Sequence, residues 1–214
     1  MADGQLAFDM GAPKIQAAIA QPASSASDVL ELFTDGYPVH IDLAEKNVAG
    51  AATGMRFLLP LKGLNLPLMH RFEHKLVVAL QGQLQMRSGA HVLARLEEGT
   101  ALVLPPGVAH RIAQQGTRES VVGVVLWPGF VEQAFRTIAA RVSLMGTDKA
   151  AMIGIFADHG VVWDAGGGSP PSTALNPKPL AHVITSLPNP VRQAMLAYLG
   201  HWFNRPLTDQ VFKR

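Results

Sequence analysis

The sequence predicts a mainly β protein, an all-β sandwich or barrel followed by C-terminal α-helices, and three observations carry that prediction. Seven short runs rich in β-branched residues or leucine fall between residues 54 and 126, with Gly, Pro or charged turns between them. From Phe130 onward the apolar spacing turns helical. A composition of 48% hydrophobic and 16% charged residues over 214 residues provides a well-buried core and lies far from that of disordered chains.

The predicted strands are Gly54 to Leu59, His74 to Leu80, Gln83 to Met86, Ala90 to Leu96, Thr100 to Leu104, Ala109 to Ala113 and Val121 to Leu126. Arg87-Ser88-Gly89 reads as a tight hairpin connection. Pro128-Gly129 breaks the last strand, and Phe130, Val131, Ala134, Phe135, Ile138, Ala139 and Val142 form the apolar stripe of a first helix. Thr147-Asp148 caps a second helix running to about Ala157, with His159-Gly160 as its stop. Asn189-Pro190 opens a last helix striped by Val191, Met195, Leu196, Leu199 and Trp202. The expected organisation is an N-terminal arm over residues 1–35, a β-barrel over 36–127, and a helical extension over 128–214 with a Gly/Pro linker near 166–180.

Charge and composition exclude several function classes. With 18 basic against 16 acidic residues the net charge is +2, so there is no electrostatic footprint for nucleic acid. The absence of cysteine removes thiol nucleophiles, thiolate metal sites and disulfides, leaving His, Asp and Glu as metal ligands. The first residues lack the basic and apolar regions of a signal peptide, and runs such as Val121 to Trp127 fall short of the ~18 residues a membrane span needs. A cytoplasmic protein is expected. No Gly-x-Ser-x-Gly elbow, Walker loop or Gly-x-Gly-x-x-Gly turn is present.

Residues 99 to 110 are the most informative stretch. Gly99 turns into an apolar strand, Pro105 ends it, Gly107 supplies a tight turn, and His110 returns on the next strand, aimed into the barrel. Gly99, Pro105, Gly107 and His110 match the second motif of the cupin superfamily in spacing, with Gln114 in place of the motif's final Asn. The chain therefore resembles the small RmlC-like single-domain cupins over about residues 50 to 127. That likeness implies a jelly-roll barrel with a central pocket, a homodimer, and a small-molecule ligand or substrate.

The first cupin motif fits less closely. Gly63 and Gly82 are present; one register places Met69, Arg71 and Lys75 at the ligand positions, and the other places Leu68, His70 and Lys75 there. In both, Lys75 stands where the family has its glutamate ligand, and an ammonium repels a divalent cation. Two readings follow. In the first, His70, His74 and His110 turn inward together, with Glu73 as an occasional fourth ligand, and hold Zn, Ni, Fe or Mn for a dioxygenase- or isomerase-type enzyme. In the second, the barrel is a metal-free binding or sensor module, similar to the sensory domains of AraC-type regulators. There Lys75, Arg71 and His110, with Met69 beside them, hold an anionic small molecule. Pro190 to Phe212 faintly resembles the start of the DNA-reading module of those regulators, and DNA binding by this chain alone is not expected.

Overall fold

Alternation along the central strands sorts the side chains into an inner and an outer layer. The structure, a computed structural model, describes residues 28–32, 38–59, 61, 66–145, 148–163 and 175–204. Gly63 of the first motif and the Gly166 to Pro171 segment lie outside the described residues.

The seven expected strands are present as β3 (Thr53–Leu59), β5 (His74–Gln81), β6 (Gln83–Ser88), β7 (His91–Leu96), β8 (Thr100–Leu104), β9 (Arg111–Gln115) and β10 (Ser120–Trp127). Five further strands join them: β1 (Asp28–Glu31), β2 (Pro38–Leu43), β4 (Leu68–His70), β11 (Val161–Trp163) and β12 (Lys178–Pro179). Thus β1 belongs to the sheet although it lies within the stretch read as an arm, and β12 lies within the stretch read as a linker.

Every strand pair is antiparallel. One sheet has seven strands in the order β1-β2-β3-β10-β5-β8-β12, and facing it are a three-stranded sheet, β7-β6-β9, and the pair β11-β4. From β5 to β10 the chain passes back and forth between the large and the three-stranded sheet, which is a jelly-roll arrangement with open edges. The crossing from β5 to β6 occurs at Gly82, with φ +76°; a Cβ there would sit 2.5 Å from Ser120 Oγ.

Inward residues Met55, Phe57, Val77, Ala79, Leu102, Leu104, Val122, Val124 and Leu126 of the large sheet meet Leu84, Met86, Leu96 and Ile112 of the small one in one apolar core. Helices α1 (Glu132–Met145) and α2 (Lys149–Asp158), with Val131 just ahead of α1, add Ala134, Phe135, Ile138, Met152 and Phe156 to that core. The Asp148 carboxylate caps α2, accepting from Ala150 N at 2.9 Å and Ala151 N at 3.2 Å. Glu132 fastens α1 to the barrel: Oε2 accepts from Thr53 Oγ1 at 2.8 Å and Glu45 N at 2.6 Å, while Oε1 accepts from Arg136 Nε at 2.8 Å.

Outward residues of the large sheet form a second core with the chain's end. Leu76, Val78, Ala101, Val125 and Trp127 pack under α3 (Leu180–Ser186), α4 (Asn189–Tyr198) and α5 (His201–Asn204). Trp202 lies so close to the sheet that a Cβ on Gly123 would stand 2.7 Å from its ring. The buried Asp42 carboxylate accepts from Trp202 Nε1 at 2.8 Å, with Arg56 Nε at 2.7 Å and His201 Nε2 at 3.4 Å. Among the described residues no helix is long and apolar enough to cross a membrane.

Candidate functional site

Lys75 belongs to the inner layer. On β5 it shares a face with Val77 and Ala79 of the inner core, whereas Leu76 and Val78 belong to the outer one. It is 9% exposed and lines a cavity of about 70 Å³ inside the barrel. At roughly 10–15 Å³ per water on the same measure, that is room for about five waters or a small organic molecule. The wall is apolar over Val39, Met55, Phe57, Val124, Leu126 and Phe135, and its polar members are Lys75, His110 and Arg111.

The turn between β8 and β9 brings His110 to the cavity. Gly107 has φ +81°, and its N–H donates to the carbonyl of His70 at 2.8 Å. His110 N donates to Leu68 O at 3.0 Å, and Leu68 N donates to His110 O at 2.9 Å. The turn thereby pins β4 beside β9, so that the His70 and His110 rings face each other at 6.1 Å between centroids and 22° between planes. Both histidines are 3% exposed.

Each imidazole is anchored through Nδ1. His110 Nδ1 lies 2.8 Å from Val108 O, a carbonyl that accepts alone, so Nδ1 carries the proton and Nε2 a lone pair. His70 Nδ1 lies 2.9 Å from Glu73 Oε2, while Glu73 Oε1 accepts from Val131 N at 2.9 Å. Both Nε2 atoms are buried without a hydrogen-bond partner, as is Nε of Arg111.

Burial sets the charge states. It holds the His70 imidazole well below its usual range, with the Lys75 charge adding to the effect. His110 is held down by burial and then by Lys75, against the hydrogen bond to Val108. Burial lowers the Lys75 ammonium to about 8, against the opposing pull of Glu73. The Glu73 carboxyl is pushed up by burial to about 7, with the Val131 hydrogen bond and the charges of Lys75 and His159 working the other way.

The register of the first motif follows from these placements. Leu68 and His70 point inward with Lys75, while Met69 lies between them on the opposite face of β4, half-buried, and Arg71 is exposed. His74 is exposed and stacks on Trp127 on the other side of the large sheet, at 5.4 Å and 9°. The expected convergence of His70, His74 and His110 is therefore corrected: strand alternation sends His74 and Lys75 to opposite faces, and Lys75 takes the interior. Met69 and Arg71 likewise stand away from the cavity. Arg111 joins it without having been anticipated, because a residue directly after the inward histidine is expected to point outward. Gln114, at the position of the motif's Asn, is half-buried outside the cavity lining, and its amide donates to the carbonyl of Arg118.

The donor set does not suit a resident divalent ion. Two neutral imidazole nitrogens are available, the third inward position carries an ammonium at neutral pH, and both Glu73 oxygens are already engaged. Among the described residues no three His, Asp or Glu side chains are placed to hold a metal ion.

Between β5 and β10 the chain crosses repeatedly between two antiparallel sheets, and the Gly99 to His110 turn carries an inward imidazole into the space between them. The barrel is of the cupin type. No family model matches the sequence, and no curated protein matches it. Solved structures similar to the cupin barrel include procruciferin, an 11S globulin from Brassica napus, at 21% identity over 49% of this chain and 29% of that one, with TM-score 0.39. The match thus spans less than a third of procruciferin's length. A predicted oxalate decarboxylase from Thermotoga maritima is 17% identical over 48% of this chain and 91% of its own, with TM-score 0.40. An RmlC-like cupin from Shewanella frigidimarina is 10% identical over 50% and 88%, with TM-score 0.39.

Proposed function

We propose that this cupin barrel is a metal-free small-molecule-binding protein whose ligand is a small anion with an apolar body, a short carboxylic acid being the simplest example. The observation that carries the reading is the Lys75 amine, set in the wall of an apolar cavity at the position where a cupin metal site has its glutamate. Desolvation makes a buried ammonium costly unless a counter-charge arrives, and a ligand carboxylate supplies one through a charge-assisted hydrogen bond. Arg111 adds a second cation to the lining, while the His110 Nε2 lone pair accepts from a ligand hydroxyl. A hydroxy acid would therefore use both kinds of polar partner.

The test combines metal content with thermal stabilisation. Protein purified without a tag or chelator is expected to carry no stoichiometric Fe, Ni, Mn or Zn by mass spectrometry, and millimolar propionate or lactate is expected to raise its Tm. Lys75→Met is expected to abolish that shift while itself melting at least about 2 °C higher, because it removes a buried cation. Ligand affinity is expected to fall as pH rises through about 8, where Lys75 loses its proton. One metal ion per chain, or carboxylate stabilisation undiminished in Lys75→Met, would overturn the reading.

A further inference from the structure

We infer that Lys75 is also a nucleophile, which captures a small aldehyde or ketone in the barrel cavity as an imine. The inference rests on the same cavity as the binding reading and goes one step further, from holding a ligand to bonding with it.

The geometry provides what the step needs. The lysine is seated on a central strand with paired neighbours on both sides, β8 and β10, so the amine is presented from a rigid wall. Lys75 takes part in none of the ion pairs among the described residues. Both oxygens of Glu73, its nearest acidic neighbour in sequence, are occupied by His70 and Val131. The charged and titratable groups around Lys75 are Glu73 from the β4–β5 turn, His70 from β4, and His110 and Arg111 at the start of β9; β3, β10 and α1 present Met55, Phe57, Val124, Leu126 and Phe135. Surroundings this apolar favour the neutral amine, the form that attacks carbonyl carbon, and Lys75 titrates near 8 accordingly.

The reaction balances without any further reagent. The Nζ lone pair forms a bond to the carbonyl carbon, and the carbonyl oxygen becomes the hydroxyl of a carbinolamine. That hydroxyl then leaves as water, carrying away two hydrogens that Nζ loses, and the C=N bond closes. His110 Nε2, the unpartnered acceptor of the lining, takes a proton from nitrogen and returns it to the departing oxygen.

Reductive trapping tests this on the full chain. The protein is incubated briefly at pH 7 with sodium glyoxylate and cyanoborohydride, and labelled lysines are located by peptide mass spectrometry. Lys75 is expected to be labelled at least about tenfold faster than exposed Lys46, Lys149 and Lys178, since the cavity holds the glyoxylate against an amine whose ammonium burial has lowered to about 8. Propionate, which has no carbonyl to attack, is expected to slow labelling at Lys75 and leave the exposed lysines unaffected. Labelling of Lys75 no faster than of the exposed lysines overturns the inference. If propionate still raises Tm in that case, binding stands and capture alone has failed; if it does not, both fail.

Discussion

Glu73 ties the site to the fold through two hydrogen bonds, and its titration makes the connection measurable. The carboxyl is raised from 4.5 to about 7, so the stability it contributes is complete below about pH 4.5 and is lost as pH rises through about 7. Lys75 runs oppositely: its lowered value gives a contribution present above 10.5 and lost as pH falls through about 8, which leaves it nearly fully protonated in acid. Between about pH 5 and 7 two opposing contributions meet: Glu73 lowers stability as pH rises, while His70 and His110, which the fold holds well below their usual range, raise it up to about pH 6.5. Glu73→Gln keeps an oxygen for Val131 N and, by removing the opposing contribution, is expected to make the urea midpoint rise more steeply with pH over that range; an unchanged slope would show that Glu73 is not the group titrating. The role of this residue was hidden in the sequence, where it stood as an occasional metal ligand. Three residues after His70, beside a short strand, it reaches back to that ring, and Val131 arrives from a distant part of the chain.

At the scale of elements, the unit from β8 through Gly107 to β9 was legible because each of its residues has a local reason. Gly99 and Gly107 take positive φ, Pro105 ends a strand, and the offsets between them are short. Replacing Gly107 by Val is expected to cost roughly 1–3 kcal/mol. No atom lies within 4 Å of the added Cβ, so the penalty is one of backbone conformation and not of crowding. An unchanged melting temperature would count against the strained turn. Strand β4 was not legible, for the opposite reason. Its three residues pair with β11 and bridge to His110, so its register is decided by partners about ninety and forty residues away. Both registers of the first motif stood open in the sequence, the one through Leu68 and His70 with Gly63 one residue out of place, and the tertiary bonds choose between them. Strand β2, between β1 and β3, shows the same limit, since its period-two pattern is only six residues long and its register against β3 shifts between Ile41 and Leu43.

For the whole molecule, the chain's end is as much a part of the architecture as the barrel. Helices α3 to α5 cover the outer face of the large sheet, and Trp202 closes that contact with its indole on Gly123 and its N–H on Asp42. Trp202→Ala is expected to destabilise the protein by about 3–5 kcal/mol, because it opens a cavity and deprives a buried carboxylate of a donor; chemical denaturation checks this. The helical stripe of Val191, Met195, Leu196, Leu199 and Trp202 announced a docked helix, of which Leu196 instead faces solvent, whereas its landing place depended on notches at Gly54 and Gly123 that a linear pattern does not mark. The arrangement works like a ligand on a leash. The segment from Leu180 to Asn204 is held beside its receptor face by its own chain, at an effective concentration no free competitor readily matches. Any second copy of this protein that associates with the first must therefore choose another surface, because this one already has its occupant.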